Sequence, residues 1–230
     1  MAKPPNQDQT REAGIVESWH ANAQPWVSAV RTGQIASRQL VTDAAIIDAV
    51  RGRAPASVLD IGCGEGWLAR ELAARGIRVS GIDAVAELVQ AARQAGGGDF
   101  RVMTYAELAA GQFPDAVDCV VCNFSLLGKA SAEQVVHAAR GLLTPAGCCI
   151  VQTLHPLQAC GELPYADGWR EGSWQGFSSH FRSPPPWYFR TLESWTRLFA
   201  SAGLRLCELR EPLDPRTGKP ASLIILAVRA

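Results

Sequence analysis

Two hydrophobic periods alternate along this chain. Short apolar runs bounded by turn residues, at positions 57–61, 77–82, 100–104, 117–122 and 147–154, read as buried strands. Between them, apolar residues recur at helical spacing, as in W-L-A-R-E-L-A-A at 67–74 and in the stretch 84–95. Helical patterns at 11–31 and 35–50 precede the first strand. A crossover helix opens with Ser131-Ala132-Glu133-Gln134, which has the form of a capping box, and stops at Leu143-Thr144-Pro145 because proline resists continuation. Thr191 is placed to cap a helix over 192–202. Two last runs, 204–209 and 222–228, flank the turn-rich D-P-R-T-G-K-P at 214–220 and predict a hairpin, hence an antiparallel final strand. Strands alternating with helices predict an α/β fold, a doubly wound and mostly parallel sheet with helices on both faces.

Residues 155–190 break both periods. They carry His155, Trp169, Trp174, Phe177, His180, Phe181, Trp187, Tyr188 and Phe189, with prolines at 184–186. So long a connection is functional or disordered, and its density of aromatic rings argues against disorder. It reads as a cover over a substrate, with rings as walls and Arg170, Arg182 and Arg190 available to fix a polar group.

The 230 residues suffice for one large domain. They divide into an N-terminal helical lid (1–50), a core (56–154), the covering insert (155–190) and a C-terminal helix and hairpin (191–230). Lys plus Arg and Asp plus Glu are both 22, so the chain has no electrostatic footprint for nucleic acid, and a small-molecule partner is expected. No apolar run is long enough to span a bilayer, and residues 1–10 are polar and proline-containing, so a cytoplasmic location is expected. Seven cysteines, an odd number, fit a reducing compartment. Cys119 and Cys122 have the spacing of a metal pair, but strand alternation turns them to opposite faces, as it does the adjacent Cys148 and Cys149. No cluster of acids or histidines suggests a metal. The oligomeric state, monomer or homodimer, stays open.

The segment S-V-L-D-I-G-C-G-E-G, residues 57–66, runs a strand into a loop with glycine at alternate positions. Such a loop marks a nucleotide site beyond the strand's carboxyl end. A dinucleotide fingerprint would need a third glycine where Trp67 stands, and Asp60 would repel a pyrophosphate but attract an ammonium. With the preceding V-L-D, the loop resembles the first motif of the class I S-adenosylmethionine-dependent methyltransferases. The resemblance implies S-adenosyl-L-methionine as cofactor, a seven-stranded sheet of order 3-2-1-4-5-7-6, and a role for Asp60, Gly62 and Gly64 at the cofactor's methionine end. Asp83, closing the second strand, is given the ribose hydroxyls, beside Ala84; as an Asp before a helix it also suits an N-cap.

By the same resemblance, the segment M-T-Y-A-E at 103–107 lies near adenine, with Tyr105 against the ring and the Ala106 amide toward a ring nitrogen, although the acidic residue usual there is missing. Asn123, after the fourth strand, would direct its carbonyl to the cofactor's ammonium, and Phe124 either covers the pocket or packs in the core. Trp19, Asn22, Ala23 and Trp26 share one face of a helix that Pro25 kinks or divides. Arg38 either pairs with the cofactor carboxylate or stands exposed.

Trp169, His180, Tyr188 and Arg190 are the candidate acceptor contacts. His155, at the carboxyl rim after the fifth strand, is either a catalytic base or the end of a strand before Pro156. His20 and His137 read as ordinary helix-surface residues. The expected activity is methyl transfer to a small, hydrophobic or aromatic acceptor of the quinone and natural-product type; no N-P-P-Y motif follows the fourth strand to suggest base-amine methylation. Two other readings stand beside it: an S-adenosylmethionine-binding sensor or partner module without transfer chemistry, and an NAD-dependent oxidoreductase, which Trp67 and Asp60 disfavour.

Overall fold

The computed structural model describes residues 6–230; residues 1–5, part of the polar N-terminal stretch and of the lid range 1–50, lie outside the described residues. A seven-stranded sheet runs β3-β2-β1-β4-β5-β9-β8. Its strands are β1 (Ser57–Ile61), β2 (Arg78–Asp83), β3 (Asp99–Val102), β4 (Val117–Asn123), β5 (Leu143–Thr153), β8 (Leu204–Arg210) and β9 (Leu223–Arg229). β1 to β5 are parallel, and β9 is antiparallel to both β5 and β8. Apart from two short strands inside the insert, this is the order the resemblance implied.

Each face of the sheet is buried under helices. One face, with Leu59, Ile61, Val120, Cys122, Val151 and Ile225, packs under α5 (Tyr105–Ala109), α6 (Ala130–Leu142) and α8 (Leu192–Ser201). The other, with Val58, Cys119, Val121, Cys148 and Ile150, packs under α2 (Asp43–Arg51), α3 (Trp67–Ala73) and α4 (Ala86–Ala95). Burial on both faces explains why the strands are apolar runs rather than alternating ones. Cys119 and Cys122 belong to opposite clusters, as do Cys148 and Cys149, and all seven cysteines are free.

Several boundaries differ from expectation for identifiable reasons. The expected Ser131–Gln134 capping box does not form: α6 starts at Ala130, and Glu12 Oε1 accepts from the amides of Lys129 (2.7 Å) and Ser131 (3.3 Å), a cap delivered from far away in sequence. α6 ends at Leu142, next to the expected stop, and β5 begins there at Leu143 rather than at residue 147. Thr191 caps α8 as expected, its hydroxyl accepting from the Ser194 amide. Pro25 neither ends nor divides α1, which runs Gln7–Arg31. The 35–50 stretch holds a π-helical turn, Arg38–Thr42, continuous with α2. The insert is not irregular throughout: it contains α7 (Pro156–Ala159) and the antiparallel pair β6 (Gly168–Arg170) and β7 (Trp187–Phe189), strands too short for periodicity to reveal. No helix among the described residues is long and apolar enough to cross a membrane.

Helix α1 positions the site. Near its start, Asp8 takes hydrogen bonds from Lys129 Nζ (2.9 Å) and Trp169 Nε1 (2.8 Å), and Glu12 caps α6. Near its end, Arg31 Nε donates to Glu65 in the glycine loop at 2.9 Å. The helix therefore lies across the carboxyl ends of the strands, from α6 to α3.

Candidate functional site

The turn after β1 is built on left-handed glycines, Gly62 (φ 75°), Gly64 (φ 57°) and Gly66 (φ 81°). Such angles are open to glycine and costly for other residues. Space makes the same demand at Gly62, where a Cβ would collide with Ser125 Cβ and stand 2.8 Å from the Tyr105 hydroxyl. Asp83, at the end of β2, clasps this loop: Oδ2 accepts from the Gly64 amide and Oδ1 from the Val85 amide, each at 2.9 Å. Burial raises its pKa, against the opposing pull of those two amides. Part of the N-cap reading of Asp83 is thus realised, as a side-chain turn before α4 rather than a cap on residue 84, since α4 begins at Ala86.

Asp60 is 2% exposed, and its pKa is pushed up to about 7, first by burial and then by the negative charge of Asp83. Two neighbouring carboxylates without a cation are a poor arrangement, so this pair favours a positively charged ligand group. Glu65 is fully buried between Arg31 and Arg70, whose Nη2 donates at 2.6 and 2.8 Å, and it ties α1, the loop and α3 together. Glu65 fills an unspecified position between two glycines of the motif, so its signal lies in its partners.

Tyr105 opens α5 behind a capping box formed by Thr104 and Glu107, and its hydroxyl donates to Ser125 O at 3.0 Å. Ser125 Oγ in turn donates to Ile61 O at 2.6 Å. Tyr105 and Ser125 thus link the ends of β3, β4 and β1, and burial drives the tyrosine pKa well above its ordinary value. The Ala106 amide lies in the first turn of α5, where a helix has no internal acceptor to offer. Asn123 ends β4 with a buried Oδ1 that has no hydrogen-bond partner. Phe124 follows at φ 53°, an angle strained for an aromatic residue and typical of functional turns.

Arg38 is neither free nor exposed. Its Nε donates to Asp43 at 2.9 and 3.3 Å, and its guanidinium lies 4.4 Å over the Trp67 ring. A cleft of about 360 Å³ between the end of α1 and the π-helical turn is lined by Arg31, Arg38, Gln39 and Asp43.

The insert docks on α1 through specific bonds. Asn22 brackets Arg182, accepting from its amide (2.9 Å) and donating to its carbonyl (2.7 Å), while Ser18 Oγ donates to Ser183 O at 2.6 Å. Around them Trp19, Trp26, Trp174, Phe177 and Phe181 form one aromatic cluster, with centroids 4.7–6.5 Å apart. A Cβ at Gly64 would lie 3.6 Å from Trp26 Nε1, so this cluster reaches the glycine loop. His20 Nδ1 is 3.3 Å from Glu87 Oε2.

The candidate acceptor residues separate into two groups. Tyr188 helps line a small cavity with Leu126, Leu154, Pro156, Trp187 and Trp195, and Trp169 packs edge-on against Tyr188 at 5.5 Å. Arg190 also borders that cavity but is buried, and its guanidinium is engaged by the carbonyls of Gly128 and Lys129 and by Glu133 Oε1; it buttresses the wall and is not free to bind an anion. His180 is exposed and contacts Ser178. His155 is buried at the start of α7. Its Nε2 lies 2.7 Å from Glu211 Oε1, which requires the proton on Nε2, and its buried Nδ1 has no partner. This bond carries the ring past the start of β9 toward the end of β8.

Residues 58–147 match the methyltransferase domain model. Curated relatives include ubiquinone biosynthesis O-methyltransferases of Xanthomonas euvesicatoria, 37% identical over 115 residues (48% of this chain and 48% of that protein), and of Chromobacterium violaceum, 37% identical over 103 residues (43% and 44%). The chain spans about half the length of the curated relatives it matches. Among solved structures, the Burkholderia thailandensis 1,6-didemethyltoxoflavin-N1-methyltransferase, with bound 1,6-didemethyltoxoflavin and S-adenosylhomocysteine, aligns at a TM-score of 0.69 and 19% identity, covering 100% of this chain and 93% of its own. A Mesorhizobium loti S-adenosylmethionine-dependent methyltransferase aligns at 0.61 and 20% identity, over 80% and 98%. The fold is that of the S-adenosylmethionine-dependent methyltransferases, and residues 58–147 are a methyltransferase domain.

Proposed function

We propose that this protein binds S-adenosyl-L-methionine at the carboxyl ends of β1, β2 and β4 and transfers its methyl group to a small hydrophobic or aromatic acceptor under the aromatic insert. The observation that carries the proposal is the Asp60 and Asp83 pair beside left-handed Gly62 and Gly64, an anionic berth for a cationic nucleoside. The orphaned Asn123 Oδ1 beside the loop fits a ligand that brings donors.

In this reading Asp83 holds the ribose hydroxyls, Ala84 lies beside it, Tyr105 and the Ala106 amide face adenine, and Phe124 closes the pocket. Asp60, Gly62, Gly64 and Asn123 hold the methionine end, where Arg38 can exchange Asp43 for the carboxylate. The bound cofactor would supply a methyl group activated by its sulfonium. The chain's own part is to align the acceptor in line with that group and to exclude water, tasks suited to the cluster of Trp19, Trp26, Trp174 and Phe177. Trp169, His180 and Tyr188 are the proposed acceptor contacts. The names of a relative, ubiquinone biosynthesis O-methyltransferase, and of a structural neighbour, 1,6-didemethyltoxoflavin-N1-methyltransferase, favour a ring-bearing acceptor. Where such an acceptor must shed a proton, His155 is the proposed base, with Nδ1 free to receive it and Glu211 holding Nε2. Free thiols throughout support a cytoplasmic setting.

A screen of phenols, catechols and ring N–H compounds with methyl-labelled cofactor tests the proposal; transfer to at least one class is expected, and cofactor binding without any transfer would favour a sensor module. With an acceptor in hand, His155→Ala is expected to slow turnover at unchanged cofactor affinity, whereas parental turnover across pH 6–9 removes His155 as the base.

A further inference from the structure

Beside the glycine loop lies a patch that motif reading does not touch. Strand alternation puts Asp60, Asn123 and Gln152 on the sheet face that carries Val58, Val121 and Ile150, beneath α2 and α3. Asn123 pairs in register with Gln152, and Asp60 pairs with Val121, two residues before Asn123 on the same face. The π-helical turn contributes Thr42, whose carbonyl accepts from Gln152 Nε2 at 3.2 Å; Ser222 Oγ is 2.9 Å from the same nitrogen. Because a carbonyl only accepts, that contact fixes the amide orientation and turns Oε1 the other way.

Gln152 is 1% exposed and Thr42 is 2% exposed, yet Gln152 Oε1 and Thr42 Oγ1, like Asn123 Oδ1, are buried without any partner. Buried polar atoms are nearly always paired, so these orphans, two on the paired ends of β4 and β5 and one on the π-helical turn bonded to Gln152, point to a missing donor. All three atoms can accept, and the neighbouring Asp60 adds negative charge. A compact cation with several N–H groups supplies donors for the whole set, whereas a single hydroxyl supplies one and an anion none. Arg38, the candidate carboxylate partner, sits in the same π-helical turn, a distortion frequent at functional sites. Ammonium and carboxylate receptors thus lie one turn apart.

We infer that Thr42 and Gln152 recognise the amino group of the cofactor's methionine end and so set selectivity for the amino-acid-bearing nucleoside. The inference rests on the cofactor reading above. Calorimetric titration of the whole chain with S-adenosylhomocysteine, and with methylthioadenosine, which keeps nucleoside and thioether but lacks the amino acid, separates the two. Thr42→Val and Gln152→Leu are each expected to weaken S-adenosylhomocysteine binding by roughly 10-fold or more, the scale of a lost hydrogen bond to a charged group. Methylthioadenosine binding should not move. Parental S-adenosylhomocysteine affinity in both variants, as expected if the patch holds only water, overturns the inference, and so does equal weakening of both ligands. Thr42→Val preserves shape and carries the test if Gln152→Leu does not fold. If the parent protein binds neither compound, the cofactor reading itself fails.

Discussion

The glycine-loop rim and the aromatic cover face each other across the same strand ends, yet they are assembled on different principles. In the rim, the clasp on the glycine loop is short-range: Asp83 reaches Val85 two residues on and Gly64 nineteen residues back, across one strand pair. In the cover, the defining bonds join residues 160 to 165 positions apart, Asn22 to Arg182, Ser18 to Ser183 and Trp169 to Asp8. The rim is prescribed by backbone geometry and the cover by side-chain docking. Damage should therefore separate: rim substitutions abolish ligand binding or stability, whereas cover substitutions loosen the insert first.

The largest expected effect is at Gly62. An alanine there takes on a left-handed φ of 75° and a collision with Ser125, so Gly62→Ala should lose about 2–4 kcal/mol in urea denaturation; a variant as stable as the parent would show that the loop yields. Next, Asp83→Ala should weaken S-adenosylhomocysteine binding by about 1–3 kcal/mol, and unchanged affinity in a folded variant counts against the ribose assignment.

On the other side of the comparison, Asn22→Ala removes both bonds to Arg182 and should cost about 1–2 kcal/mol, with faster proteolysis between residues 171 and 183 but a smaller loss of cofactor affinity than Asp83→Ala. If affinity falls further than in Asp83→Ala, the two regions are not separable. The smallest effect concerns pH. Asp60 binds its proton more tightly folded, at about 7, than unfolded, near 3.8, so the folded state holds the extra proton in that window. Its contribution to stability is present below pH 4 and is lost as pH rises toward 7. Asp60→Asn should flatten this part of the stability profile, by about 1–2 kcal/mol after allowing for relaxation around a buried acid; an unaltered profile would mean that another group carries it.

The sequence showed the sheet clearly because five strands buried on both faces are uninterrupted apolar runs, and because V-L-D followed by alternating glycines has few structural uses. The placement of Asp60, Gly62, Gly64 and Asp83 at the ends of β1 and β2 was legible for that reason. The contacts of Glu65 with Arg31 and of Gln152 with Thr42 and Ser222 were not, since the partners stand 34 to 110 positions apart and no local pattern announces such a pair. Arg190 shows the reverse error: an arginine among aromatics suggested an anion site, but the carbonyls at the start of α6 claimed its donors. The Ser131 box failed in the same way, displaced by Glu12. Composition foresaw that the cover would be ordered; the small β6–β7 sheet that frames it depends on pairing between segments 17 or more residues apart.

Calorimetry of the parent chain against S-adenosylhomocysteine and NADH in parallel tests the central claim most directly. Saturable binding of S-adenosylhomocysteine with one site per chain, and none of NADH, is predicted by an anionic berth closed to pyrophosphate. Binding of NADH with no response to S-adenosylhomocysteine would contradict it.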